Sequence, residues 1–126
     1  MDKDIEGLSY LRWSQFDSPD SPGSGYKFME RDTVTTLDRV VHATKMVLDI
    51  RLGYVTPTYA NILGLVSHDS HRIGKAVRIR ILSSKKRYRL IAGLINEGVK
   101  RIAVDEKNKF VYFDTDNQKP EILSIW

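Results

Sequence analysis

The segment that most constrains this chain is Asp69-Ser70-His71-Arg72-Ile73-Gly74-Lys75-Ala76-Val77-Arg78-Ile79-Arg80-Ile81. Val77, Ile79 and Ile81 alternate with Arg78 and Arg80. Side chains alternate across a strand, so this run buries one face and sets two guanidinium groups on the other. Gly74 and Ala76 are small where the chain turns into the strand, as a tight turn requires. A histidine at a turn and an acid at the start of the next strand is a common way to present two metal ligands. His71 stands in the first place, but an arginine, Arg78, stands where the acid would be.

The 126 residues are 41% hydrophobic and 29% charged, enough for one globular domain with a real core. Cysteine is absent, which excludes a disulfide framework, a thiolate metal site and a cysteine nucleophile. No apolar run approaches the roughly 20 residues that span a bilayer. The opening Met-Asp-Lys-Asp-Ile-Glu has no apolar stretch of a secretory signal, so synthesis and folding in a cytoplasm are expected. The net charge of +4 is uneven: no acid falls between Ser70 and Asn96, whereas eight basic residues run from Arg72 to Arg89. Such a block suits a solvated face first, and an anionic partner second.

Pattern and punctuation suggest an α+β domain with a central, mostly antiparallel sheet. Residues 1–16 read as a short arm or strand docking Trp13 and Phe16 on the core. In residues 17–25, Pro19, Pro22, Gly23 and Gly25 exclude regular structure. A helix starts at Asp32 or Thr33, either of which can cap it, and runs to Thr44 with Val34, Leu37, Val40 and Val41 on one face. Residues 45–51 read as a strand, with Met46, Leu48 and Ile50 alternating. A long loop spans 53–64. A second helix covers 85–97, with Tyr88, Ile91, Ala92 and Ile95 on one side, and Gly98 stops it. Strands are expected at 99–104, 110–114 and 122–126, with a turn at 105–109 and a loop at 117–120.

Three histidines invite metal readings. His68 and His71 form a His-x-x-His pair around Asp69, an incomplete site. His42 lies in the first helix beside its apolar face and reads as structural. Tyr88 interleaves with the basic run, a weak nucleic-acid signal with no motif beside it, so nucleic acid is disfavoured as a partner.

Taken in order, these residues resemble the LAS-type zinc D-alanyl-D-alanine carboxypeptidases, above all their small phage endolysin and virion members. The resemblance runs from about Phe16 onward. It rests on Phe16-Asp17-Ser18-Pro19-Asp20 with Gly23-Ser24-Gly25, and on Leu37-Asp38 in the first helix. Leu52-Gly53-Tyr54-Val55-Thr56-Pro57 resembles the family's Ser-Gly-Tyr-Arg-Thr-Pro loop, followed by Asn61 and Gly64. Residues 70–79 resemble its Ser-x-His-x-x-Gly-x-Ala-x-Asp-Ile motif. Gly98-Val99-Lys100-Arg101-Ile102-Ala103 resembles Gly-Phe-x-Arg-Ile-Gly, and Phe110-Val111-Tyr112-Phe113-Asp114 resembles Phe-Ile-His-Val-Asp. Lys119 and Trp126 match the closing residues.

The resemblance implies a carboxypeptidase-like α+β fold over residues 1–126, with 1–25 as an N-terminal arm and loop, and it implies where chemistry has gone. The family's zinc is held by His, Asp and His with an open fourth place. The first His matches His71. The Asp matches Arg78, whose fixed positive charge repels a cation. The second His matches Tyr112, a poor ligand while its phenol stays protonated. The acid/base position matches Lys109, which cannot take a proton at neutral pH. The substrate-carboxylate arginine matches Val55, which can make no ion pair. The expected cofactor is therefore none, with zinc as the alternative. If the fold is kept, positions 78, 112 and 114 face one another, and Arg78 is expected to replace the metal's charge by pairing with Asp114, beside Tyr112.

The function implied is a catalytically inactive peptidase-like domain kept as a structural or binding module, in the setting of a phage particle. Its expected partners are other particle proteins or further copies of itself; its expected location is the host cytoplasm during assembly and then the particle. A live peptidoglycan hydrolase with a rearranged site, and a non-cutting cell-wall binder, are the competing readings. Val55 weighs against the binder. No membrane partner is expected.

Overall fold

The computed structural model describes residues 3–66 and 69–125, and the side chains among them except those of Ser124 and Ile125. It is an α+β fold built on a five-stranded mixed sheet. The strands are β1 (Asp49–Leu52), β2 (Ala76–Arg80), β3 (Arg101–Asp105), β4 (Phe110–Asp114) and β5 (Ile122–Ile125), and the helices α1 (Ser24–Phe28), α2 (Arg31–Thr44), α3 (Pro57–Leu63) and α4 (Ser84–Asn96). The sheet order is β1-β2-β4-β3-β5; β5 runs parallel to β3 and every other neighbouring pair is antiparallel. The mostly antiparallel expectation therefore holds, with one parallel edge.

Strand alternation sorts the sheet into two faces. Val77, Ile79, Val111, Phe113 and Ile102 join the main core with Val34, Leu37, Val40 and Val41 of α2 and Leu90 and Leu94 of α4. The two helices cross closely because Gly93 carries no side chain: a Cβ there would stand 2.8 Å from Val40 Cγ1. Ser83 caps α4 by accepting from Lys86 N at 3.3 Å, worth about 1 kcal/mol. Gly98 ends it at φ +87°, a left-handed stop natural to glycine. The opposite face carries Arg78, Arg80, Tyr112, Asp114, Arg101 and Asp105, set in register by the β2–β4 and β3–β4 ladders.

Several expected elements are corrected. The N-terminal arm docks Trp13 and Phe16 as expected, but through 3-10 turns at Lys3–Ile5 and Trp13–Phe16 rather than a strand. It is fastened by the buried Asp38 carboxylate of α2, which accepts from the backbone N–H of Ser9, Tyr10 and Leu11, each at 2.9 Å. Residues 17–25 do end in regular structure, since α1 begins at Ser24. The cap of α2 is Glu30, without a side-chain bond; Thr33 lies inside the helix and is buried. Of the expected 45–51 strand only residues 49–51 lie in a sheet strand, β1, which runs on to Leu52. Met46 and Leu48 are buried from an irregular segment, and Val47 is 98% exposed. The expected 53–64 loop contains α3, with Pro57 in its first turn and Thr56 accepting from Tyr59 N at 3.1 Å. On α4, the buried side is Leu90 and Leu94, whereas Tyr88 and Ile95 face solvent.

Candidate functional site

The residues singled out at 71, 78, 112 and 114 do converge on the polar side of the sheet. His71 sits in a 3-10 turn, Ser70–Ile73, started by the Asp69 carboxylate, which accepts from His71 N at 2.8 Å. Gly74 closes the turn at φ +71°. It also lets the turn press against α1, since a Cβ would stand 2.1 Å from the Phe28 carbonyl oxygen. From there the chain enters β2, where Arg78 is the register partner of Tyr112 and Ala76 that of Asp114.

His71 is buried, and its ring meets that of Tyr112 edge-on at 5.6 Å. Nδ1 lies 2.8 Å from the Gly53 carbonyl oxygen. A carbonyl can only accept, so Nδ1 carries the proton and Nε2 presents its lone pair. That Nε2 has no hydrogen-bond partner. Burial pushes the imidazole below its ordinary pKa and keeps it neutral; the Arg78 charge acts in the same direction, against the Gly53 bond and the Asp69 and Asp114 carboxylates.

The Asp114 side chain is fully buried, and both of its oxygens are taken. Oδ1 pairs with Arg101 Nε at 2.8 Å and accepts from Asp116 N at 3.1 Å. Oδ2 accepts from the Tyr112 hydroxyl. Burial raises the Tyr112 phenol far above its ordinary pKa, and its bond to Asp114 raises it further, so it holds its proton. The counter-ion of Asp114 is thus Arg101, not Arg78. The reason is register: Arg101 is the β3 partner of Asp114, whereas Arg78 is level with Tyr112, one pleat away. Its guanidinium lies over the Phe110 ring, 5.5 Å from the centroid. Tyr112 is a hydrogen-bond partner of the acid, as expected.

A second knot of polar groups adjoins the first. Ser70 Oγ donates to Asp116 Oδ2 at 3.1 Å and accepts from Lys119 Nζ at 2.8 Å; Lys119 also stands 3.6 Å from Asp116. Burial alone would raise Asp116, but the Gln118 N–H, Ser70 and Lys119 together hold it below the ordinary carboxylate value. Beside both knots opens a cleft of about 440 Å³, lined in part by Arg101, Asp114, Asp116, Lys119 and Gly98. Its charged walls already have partners: Glu97 with Arg39 at 2.6 Å, and Lys100 with Glu121 at 3.5 Å.

The remaining candidates lie elsewhere. Val55 is buried in a small cluster with Leu52 and Ala60, its N–H donating to the His71 carbonyl at 3.1 Å. Lys109 is exposed in the β3–β4 turn, at the other end of β4 from Asp114, with φ +62°. His42 packs edge-on against Tyr10 at 5.2 Å. His68 and Trp126 lie outside the described residues. Sequence reading missed Arg101, Ser70, Asp116 and Gly53 as site members. The signal for Arg101 was the alternation Arg101, Ala103, Asp105, which puts its charge on the face of Tyr112 and Asp114.

These donors do not fit zinc. His71 offers one lone pair, Tyr112 keeps its proton, Asp114 is consumed by Arg101 and Tyr112, and Arg78 brings a cation to the same face. Among the described residues no group of three or more His, Asp or Glu side chains could hold a metal ion. No helix among them is long and apolar enough to cross a membrane. Compared with known proteins, the chain matches no family model, no curated protein and no solved structure.

Proposed function

We propose that this chain is a degenerate member of the D-alanyl-D-alanine carboxypeptidase-like fold, no longer catalytic, and used as a structural or binding module of a phage particle. The observation that carries the reading is the state of His71. A buried imidazole whose Nδ1–H is fixed by a backbone carbonyl, with Nε2 bare, is held the way metal-ligating histidines are held. The surrounding positions no longer complete a ligand set: an Arg101–Asp114–Tyr112 network occupies one side and the Arg78 cation the other. The two remaining catalytic positions add to this, since Val55 is buried in an apolar cluster and Lys109 stands in a remote turn.

In this reading the described residues complete no metal-ligand set, Lys109 stands away from His71 in the β3–β4 turn, and Val55 offers no charge to grip a carboxylate. What the site retains is a rigid scaffold, and scaffold alone does not imply activity. In the particle the domain acts through its surface, on other particle proteins. The test is to assay cleavage of a peptide ending in D-Ala-D-Ala, and of purified peptidoglycan, with and without added zinc. The expected result is no turnover in any condition. Zinc-dependent release of D-Ala would overturn the reading, and saturable peptidoglycan retention without cleavage would replace the assembly role with wall binding.

A further inference from the structure

We infer that the open end of the sheet, where Arg78, Arg80 and Phe110 share a face and the β3–β4 turn adds Lys107 and Lys109, binds a single-stranded nucleic acid through its phosphates and a stacked base. This rests on the exposed surface alone and does not require the ancestry proposed for the buried cluster.

Register builds the surface. Arg80 is the partner of Phe110, and Phe110 that of Asp105, so the three stand in one row on the polar face. Arg78 lies one pleat behind Arg80, about 6.7 Å along the strand, close to the repeat of phosphates along an extended polynucleotide. Its guanidinium lies over the Phe110 ring. Helices α2 and α4 pack on the other face. Helix α3 and the His71 turn cover the polar face one row farther in, at Leu52 and Tyr112. Arg80 stays exposed and Phe110 half-buried. Only residues 81–83 separate β2 from α4, so Lys85 and Lys86 lie at the same end, and helix side chains lean toward the N-terminus. In the sequence these cations fall in separate stretches without a motif; strand pairing gathers them.

The acids at this end are engaged. Asp49 pairs with Arg51 at 2.8 Å and Glu106 with Arg87 at 3.8 Å, while Asp105 accepts from Asn108 at 3.1 and 2.9 Å. Arg78, Arg80, Lys85, Lys86, Lys107 and Lys109 take part in no ion pair among the described residues. Six cations against Asp105 alone exceed the net +4 of the entire chain. Local stability does not call for them. The first turn of α4 holds no acid, and its two lysines oppose the helix dipole. Lys109 takes φ +62°, where glycine or asparagine is at home. Cations kept at positions that favour other residues point to a bound anion.

Shape selects among anions. The one apolar group of the row is a flat ring beside a guanidinium, a stacking platform for a base and a poor pocket for an aliphatic side chain. A duplex keeps its bases paired and stacked, out of reach of such a ring. A flexible single strand reaches the ring and the cations together.

The experiment is a fluorescence-anisotropy titration of the full chain into a labelled oligothymidylate of about 20 nucleotides, beside a duplex of equal length and poly-glutamate. The oligothymidylate is expected to bind saturably, and to weaken roughly 50-fold between about 50 and about 200 mM salt if about four phosphates are contacted. Phe110→Leu is expected to weaken it about tenfold at an unchanged salt slope. Arg80→Ala and Lys109→Ala are each expected to lower that slope by about one. Lys27→Ala and Lys45→Ala, in α1 and after α2, are expected to change neither. Urea midpoints establish that each variant keeps its fold. Absent or salt-insensitive binding would overturn the proposal, as would equal losses from Lys27→Ala and Arg80→Ala. So would full affinity in a folded Phe110→Leu, or binding of the duplex or of poly-glutamate as tight as that of the single strand.

Discussion

Arg101 Nε meets Asp114 Oδ1 at 2.8 Å across the β3–β4 ladder, with the Asp114 side chain fully buried and that of Arg101 13% exposed. The guanidinium also donates to the Pro120 carbonyl, tying the 115–121 loop to the sheet. A buried acid stripped of its counter-ion is costly. Arg101→Met is therefore expected to destabilise the fold by about 3 kcal/mol, and Asp114→Asn by less, because the amide oxygen still accepts from Asp116 N while its NH2 group can donate to the Tyr112 hydroxyl. Urea denaturation of both single variants and the double gives the coupling; additive losses would mean that the pair contributes nothing specific.

Arg78 behaves differently. Its ring stacking on Phe110 is worth only about 0.5–1 kcal/mol at a partly exposed site. Arg78→Ala should lower stability by no more than that in the same urea experiment. A loss near that of Arg101→Met would return Arg78 to the role of counter-ion.

The contrast marks what could be read in the residues alone. Alternation put Arg78 opposite Val77 and Ile79, and Tyr112 and Asp114 together on one side of their own strand, because strand periodicity is local; that 78 faces 112 and 114 was an implication of the family resemblance, and the β2–β4 pairing supplies it. Which arginine reaches Asp114 depends on strand order and register, and those follow from long-range packing. The same limit applies to α4. Its Tyr88–Ile95 stripe and its Leu90–Leu94 side are both helical in period; only the approach of α2 at Gly93 decides which is buried. Gly98 and the strand at 110–114 were legible because a left-handed stop and a five-residue alternation need no distant partner.

His71 gives a pH signature. Folding holds its imidazole neutral, with a pKa below the ordinary 6.5. Above pH 6.5 neither state binds the proton and His71 adds no pH dependence. As pH falls through 6.5, the unfolded chain takes up a proton that the folded chain refuses, so stability drops until folded His71 itself titrates. Asp20, Asp105 and Asp116 are shifted the other way, and their contributions are lost only below about pH 4, from an ordinary 3.8. Urea midpoints should therefore fall between pH 7 and pH 5 in the native chain and stay flatter in His71→Gln. An unchanged slope in the variant would assign the effect to other groups.

Gly74 is required twice, by its φ of +71° and by the Phe28 carbonyl that a Cβ would overlap at 2.1 Å. Gly74→Ala should cost about 2 kcal/mol or more, because backbone must move. Thermal unfolding is the check. Gly64→Ala, also at positive φ but with open space around it, should cost less.

Bound zinc tests the central claim most directly. The native chain, dialysed against zinc and then metal-free buffer, is expected to retain far less than one zinc per chain by elemental analysis, whereas Arg78→Asp/Tyr112→His, which adds two donors beside the bare Nε2 of His71, is expected to retain about one. One zinc held by the native chain would contradict the account.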